Sequence, residues 1–148
     1  MLKHKLALAL LGSTLLFTGC ATTSTPKQQQ ETLNQLQNKT WILKQIGSTE
    51  YKTDPTALNV PSILFEGPSL RLSGADGCNR FMGGYSINVD KISLSELSTT
   101  QMMCVHTKQL ADNYNAALNK VKGFQVYGKT LRLLDEHGNP VLLYQSAQ

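Results

Sequence analysis

Apolar and polar positions alternate with period two along most of the chain and switch to a helical period once. TWILKQI (40–46) is β-branched and aromatic, with Trp41 and Leu43 on one face and Ile42, Lys44 and Ile46 on the other, which predicts a first strand. PSILFEG (61–67) and SLRLSG (69–74) predict two more, separated by the turn pair Gly67-Pro68. In the second of these Leu70 and Leu72 are expected to point inward, and Arg71 and Ser73 outward. RFMGGYSINVDKISLSEL adds a strand at 80–87, a turn at 88–91 and a strand at 92–97. The helical period appears in TKQLADNYNAALNKVKG, where Leu110, Tyr114, Ala117, Leu118 and Val121 form one stripe and Lys108, Asp112, Asn115 and Lys122 face away. Thr107 is the expected N-cap of this helix, placed around 107–122, and Gly123 its stop. The period then returns to two, and FQVYGKTLRLLDEHGNPVLLYQ predicts three strands with turns at 127–129 and 135–140. The fold class is therefore mainly β with one α-helix. Seven or eight strands form a small antiparallel, partly open barrel or sandwich, with the helix over an open end.

The start of the pattern carries a targeting message. MLKHKLALALLGSTLLFTGC begins with Lys3 and Lys5 and continues with an apolar run from Leu6 to Phe17, the order of an export signal. The run is too short for a comfortable membrane span, which needs roughly 20 apolar residues. Its ending, LFTGC, resembles a bacterial lipobox, with Phe17 where Leu is more usual, so Cys20 is expected to be cleaved to the N-terminus and acylated. Residues 1–19 then form the signal peptide, 20–35 a lipidated N-terminus and flexible tether (ATTSTPKQQQ is polar and aperiodic), and 36–148 one folded domain. Ala21 and Thr22 are not the Asp that retains such proteins in the inner membrane, which points to the periplasmic face of the outer membrane.

Charge changes the picture once the signal is set aside. Lys3 and Lys5 account for two of the 14 basic groups, leaving 12 against 10 acidic ones, so the formal +4 of the whole chain becomes +2. No Lys/Arg stripe remains, which argues against nucleic acid as a partner. The expected partners are the membrane, through the lipid, and a periplasmic or envelope protein, with the chain itself a monomer. Beyond that lipid on Cys20 no cofactor is expected.

GADGCNRFMGGY (74–85) concentrates the candidate chemistry. Its glycines lack the spacing of a phosphate loop and read as tight turns and a bend in a strand. Cys78 and Cys104 are the two cysteines left after Cys20, and in an oxidising compartment the simplest outcome is a disulfide, the bland alternative being two buried thiols packed as small apolar groups. A thiol nucleophile would draw on His106, two residues after Cys104, with Asp76 or Asn79 to orient it. A zinc site from Cys78, Cys104, His106 and His137 lacks the spacing that pre-forms half a site, and no metal is expected. Asn79, Arg80, Met82 and Tyr85 are the candidate partner-binding residues. Against that role, Asn79 is the type of side chain that forms turns, Arg80 can lie along the surface, and methionines beside a β-core usually fill it.

Trp41 in NKTWILKQI, Gly77-Cys78-Asn79 followed by Gly84-Tyr85, STTQMMC (98–104), the amphipathic helix after it and the closing FQVYGKTLRLL…VLLY together resemble the META domain family, of the HslJ-like lipoprotein type, over about residues 36–146. The resemblance implies a β-rich fold with one helix, an envelope location and a link to heat-shock or novobiocin-type stress tolerance, with no catalytic set. An alternative of another class is a lipid-anchored inhibitor or binder of a hydrolase such as lysozyme, and a thiol-dependent enzyme is a third.

Overall fold

The computed structural model describes residues 24–147. Among them are nine strands, all antiparallel in one sheet: β1 (Thr40–Ile46), β2 (Thr49–Glu50), β3 (Ser62–Phe65), β4 (Arg71–Ala75), β5 (Arg80–Asn88), β6 (Lys91–Thr99), β7 (Gly123–Tyr127), β8 (Thr130–Leu134) and β9 (Pro140–Ser146). Two helices accompany them, α1 (Pro26–Leu36) and α2 (Lys108–Leu118). The sheet runs β1-β3-β4-β5-β6-β7-β8-β9, and β9 pairs back onto β1, so eight strands form a ring with β2 hairpinned onto the end of β1. The ring is thinnest between β6 and β7, where Lys91 opposite Gly123 is the single ladder pair, flanked by Ile92 N–H to Lys122 O and Phe124 N–H to Asp90 O.

An eight-stranded ring is just wide enough for its own side chains to fill. Inward positions at every second residue supply them: Trp41 and Leu43, Ile63 and Phe65, Leu72, Phe81 and Tyr85, Leu131 and Leu133, Leu142 and Tyr144. The filling is tight enough to dictate a glycine. Phe81 lies across from Gly74, and a Cβ at residue 74 would fall 2.3 Å from both the Phe81 ring and Ser62 O. Further along β5, Gly83 faces two residues of β6, because Glu96 turns through a left-handed φ of 52° and makes a bulge.

The mainly β, antiparallel reading holds, with local differences. Leu70 does not point inward: it takes φ 51° in the turn before β4 and is exposed. Thr107 makes no side-chain cap. Its hydroxyl donates instead to Gly77 O, and the helix ends at Leu118, leaving Gly123 to begin β7. The segment expected to be a flexible tether is helical from Pro26. Its start is a capping box, with Gln28 N–H donating to Thr25 Oγ1 and Thr25 N–H to Gln28 Oε1, and Pro26 occupies the first turn, where no N–H is needed. Its end is fixed by the fully buried Leu36, whose carbonyl accepts from Trp41 Nε1 at 2.8 Å.

Each helix thus seals one end of the ring. α1 lies by the β5–β6 and β7–β8 turns, whereas α2 lies at the other end, where Tyr114 enters the core. The Tyr114 hydroxyl donates to Ser62 O at 3.2 Å and accepts from the Tyr144 hydroxyl at 2.9 Å. Desolvation raises both phenols. It is eased at Tyr114 by the bond received and augmented at Tyr144 by its neighbour and the bond given. A phenol held above its unfolded value near 10 stabilises the fold fully below about pH 10 and loses that contribution as pH climbs toward the folded value. Urea unfolding across pH 7–12 is therefore expected to show stability falling above about pH 10. Tyr144→Phe should cost about 1 kcal/mol at neutral pH and flatten that fall; an unchanged alkaline slope would contradict the role given to the pair.

Candidate functional site

The turn between β4 and β5, Asp76 to Asn79, is where the sequence placed most of its chemistry, and it is held from four directions. Gly77 takes φ 96°, a conformation costly for a side-chain-bearing residue, and a Cβ there would also meet Leu110 at 2.7 Å. Inside the turn, Asp76 is fully buried. Its Oδ1 accepts from the N–H groups of Cys78 (3.0 Å) and Asn79 (2.6 Å), and its Oδ2 accepts from Asn115 Nδ2 of α2 (2.8 Å). From the loop before β3, Asn59 accepts from Gly77 N–H at 2.8 Å through Oδ1 and donates through Nδ2 to Cys78 O and Asn79 O. From the segment after β6, Cys104 closes a disulfide to Cys78 with Cα atoms 5.8 Å apart.

Asn79 completes the attachment. Its Oδ1 accepts from Met102 N–H at 2.7 Å and from the Thr100 hydroxyl at 3.3 Å, while Thr100 N–H donates to Arg80 O and Arg80 N–H to Thr100 Oγ1. Residues 100–107 therefore form a strap across this end of the ring, clipped at Thr100, Met102, Cys104 and Thr107. A groove of ≈ 660 Å³ lies between the strap and α2, with Met102, Met103 and Val105 on one wall and Lys108, Ala111 and Asp112 on the other. Among the described residues no buried side-chain nitrogen or oxygen lacks a partner.

The four candidate partner-binding residues separate. Asn79 is half-buried and spent on the strap. Arg80 and Met82 are exposed on the outer face of β5. Tyr85 is buried, its ring edge-on to Phe65 at 5.1 Å and its hydroxyl donating to Glu66 O and accepting from Gln37 Nε2, so it belongs to the core and is removed from the surface set. Desolvation raises its phenol above the ordinary value. Both sulfurs proposed for thiol or metal chemistry are taken by their mutual bond. His106 is exposed, and its nearby charge is a minor contributor to the lowered carboxyl of Asp54, which hydrogen bonds from the Thr56 hydroxyl and amide dominate. His137 sits apart, in the β8–β9 turn 3.9 Å from Glu136. Cys20 lies outside the described residues.

Two residues that sequence reasoning passed over matter here. Asn115 reads as outer helix face and Asn59 is given no role from sequence, yet their carboxamides carry the polar links between the turn, the long loop and α2. No local signal marks either one, because their partners come from 18 and 39 positions away.

Asp76→Ala would leave the Cys78 and Asn79 amides without an acceptor and Asn115 Nδ2 with Ala111 O alone, and is expected to cost roughly 3 kcal/mol in urea unfolding. The bridge spans 26 positions, and replacing both Cys78 and Cys104 by Ser should cost roughly 3–4 kcal/mol on the chain-entropy view. A loss well under 1 kcal/mol in both variants would mean the corner is not a structural staple.

Comparison with known proteins bears on this arrangement at the level of family and fold. The META domain family model matches residues 34–148. Of the solved structures, one determined by NMR aligns at 26% identity with a TM-score of 0.61, over 77% of this chain and 93% of its own. Another NMR structure, of a protein from Burkholderia xenovorans, aligns at 21% identity with a TM-score of 0.60, over 100% of this chain and 99% of its own, which is a likeness of fold. No curated protein matches significantly. With the ordered GCN turn, the strap that carries the second cysteine and the helix after it all lying within the matched span, the chain belongs to the META domain family.

Proposed function

We propose that this META domain is the working part of a lipid-anchored, non-enzymatic protein of the bacterial outer membrane. On this reading it supports envelope integrity and tolerance of stress or of novobiocin-type antibiotics by binding a periplasmic protein at its disulfide end. One observation carries the choice of surface. Met102, Met103 and Val105 of the strap and Leu58 and Val60 of the adjoining loop expose large apolar side chains, up to 95% at Met103 and 84% at Val105. Both loops are tied to one rigid turn, by the disulfide and Asn79 on one side and by Asn59 on the other. Large apolar side chains exposed around one turn are costly in water unless something covers them, and prior fixation lowers the entropy lost when something does.

The non-enzymatic part of the reading draws support from the same corner. The sulfurs are bonded to each other, and the buried carboxylate of Asp76 is occupied by three donors within the protein. Inhibition of a hydrolase by plugging a basic cleft calls for an acidic protrusion, whereas the protruding residues here are apolar.

Met103→Glu combined with Val105→Glu places two charges on the rim without touching the core. In cells that depend on this protein, the double variant is expected to lower novobiocin tolerance to that of cells lacking it, at unchanged abundance and melting temperature. Full tolerance from a stably folded double variant would remove the rim from the function.

A further inference from the structure

The opposite end of the ring has its own exposed apolar groups, and their position relative to the start of the described chain gives them a meaning. α1 begins at Pro26, and Ser24 just before it lines a depression of ≈ 730 Å³ together with Gln28 of α1, Val89 of the β5–β6 turn, and Tyr127 and Gly128 of the β7–β8 turn. Tyr127 is 66% exposed and Val89 46%, the latter held in the turn by a left-handed φ of 58°. Cys20 is four residues before Ser24, and four residues span at most about 14 Å when fully extended. By contrast, β6 runs from this end to the strap over nine residues, roughly 25 Å. A bilayer that holds acyl chains on Cys20 must therefore come close to the α1 end, while the disulfide end stands away from it.

We infer that the end formed by the start of α1 and the β5–β6 and β7–β8 turns is a membrane-facing surface, with Tyr127 and Val89 resting among the phospholipid headgroups. The inference rests on the lipid-anchor reading above and adds an orientation and a contact surface to it. Tyrosine suits that depth, since its ring is apolar and its hydroxyl stays hydrated. Lys27, Lys91 and Lys129 are exposed at this end against Glu31 and Asp90. That leaves a net excess of one positive charge, only a weak attraction to an anionic surface. The acyl chains therefore supply the affinity and the turns set the orientation. No helix among the described residues is long and apolar enough to cross a membrane, in keeping with contact from one side.

The test uses the full acylated protein in phosphatidylethanolamine–phosphatidylglycerol vesicles, with and without brominated acyl chains, which quench nearby tryptophan. Trp41, the single native tryptophan, is fully buried in the ring and serves as the reference. Tyr127→Trp is expected to lose emission on bromination relative to that reference, and Met103→Trp, at a fully exposed position of the other end, is expected not to. Quenching of the residue-103 probe in place of the residue-127 probe, or of neither in protein that floats with the vesicles, overturns the orientation alone. An intact mass without acyl chains, in protein that does not float, overturns the anchor reading and the orientation with it.

Discussion

A closed ring of strands has an apolar interior with two mouths, and keeping water out of those mouths is the constraint on which the rest of this protein depends. The inward residues of eight strands meet at the axis, but side chains at the ends have neighbours on one side only. Each mouth is therefore sealed by a helix. α1 does it with Leu36, whose carbonyl is tied to the Trp41 indole, and α2 does it with Tyr114, which reaches the Tyr144 hydroxyl inside. α1 buries only Leu36 whereas α2 buries Ala111, Tyr114, Ala117 and Leu118, and at both seats a hydrogen bond to a buried partner adds to the burial.

The two seals are fastened differently. α1 continues directly into β1, so covalent continuity positions it. α2 interrupts the meander at the thinnest part of the ring, between β6 and β7, and needs other fastening. It gets this from the turn between β4 and β5: Asp76 bonds Asn115, Gly77 O accepts from Thr107, and the disulfide holds the strap leading into the helix. A buried carboxylate without a cation would be a poor bargain in isolation, yet three N–H donors aimed at its two oxygens replace the lost water. The bridge adds restraint where hydrogen bonds are exposed to competition from solvent.

What could be read from sequence follows from which interactions are local. Period-two alternation gave the ring strands because each has one wet and one dry face, as in Leu131 and Leu133 against Arg132. α1 was hidden since Leu33 and Leu36 are its only apolar residues, although Thr25, Pro26 and Gln28 spell a helix start. Tyr85 was misjudged as a surface residue because Gly83 and Gly84 erase the alternation that would have aligned it with Phe81. The cysteine pairing was inferable from the export-like start of the chain and the count of two remaining cysteines. The carboxamide links of Asn59 and Asn115 were not, since a turn-forming side chain and a cross-linking one look alike until the distant chain arrives.

The division between the ends also explains how the exposed methionines can be tolerated. An apolar rim next to the lipid attachment would sink into the bilayer and be lost to any protein partner. On the lipid-anchor and orientation readings above, Met102, Met103 and Val105 lie a β-strand's length from the attachment, on a strap that the disulfide and Asn79 fasten, and so would stay turned toward the aqueous side. On the orientation inferred above, the anchor keeps the domain within a thin layer at the membrane, which raises the effective concentration of any partner held in the same layer. Modest affinity at the rim then suffices, and methionine, flexible and polarisable, can adapt to an irregular partner surface.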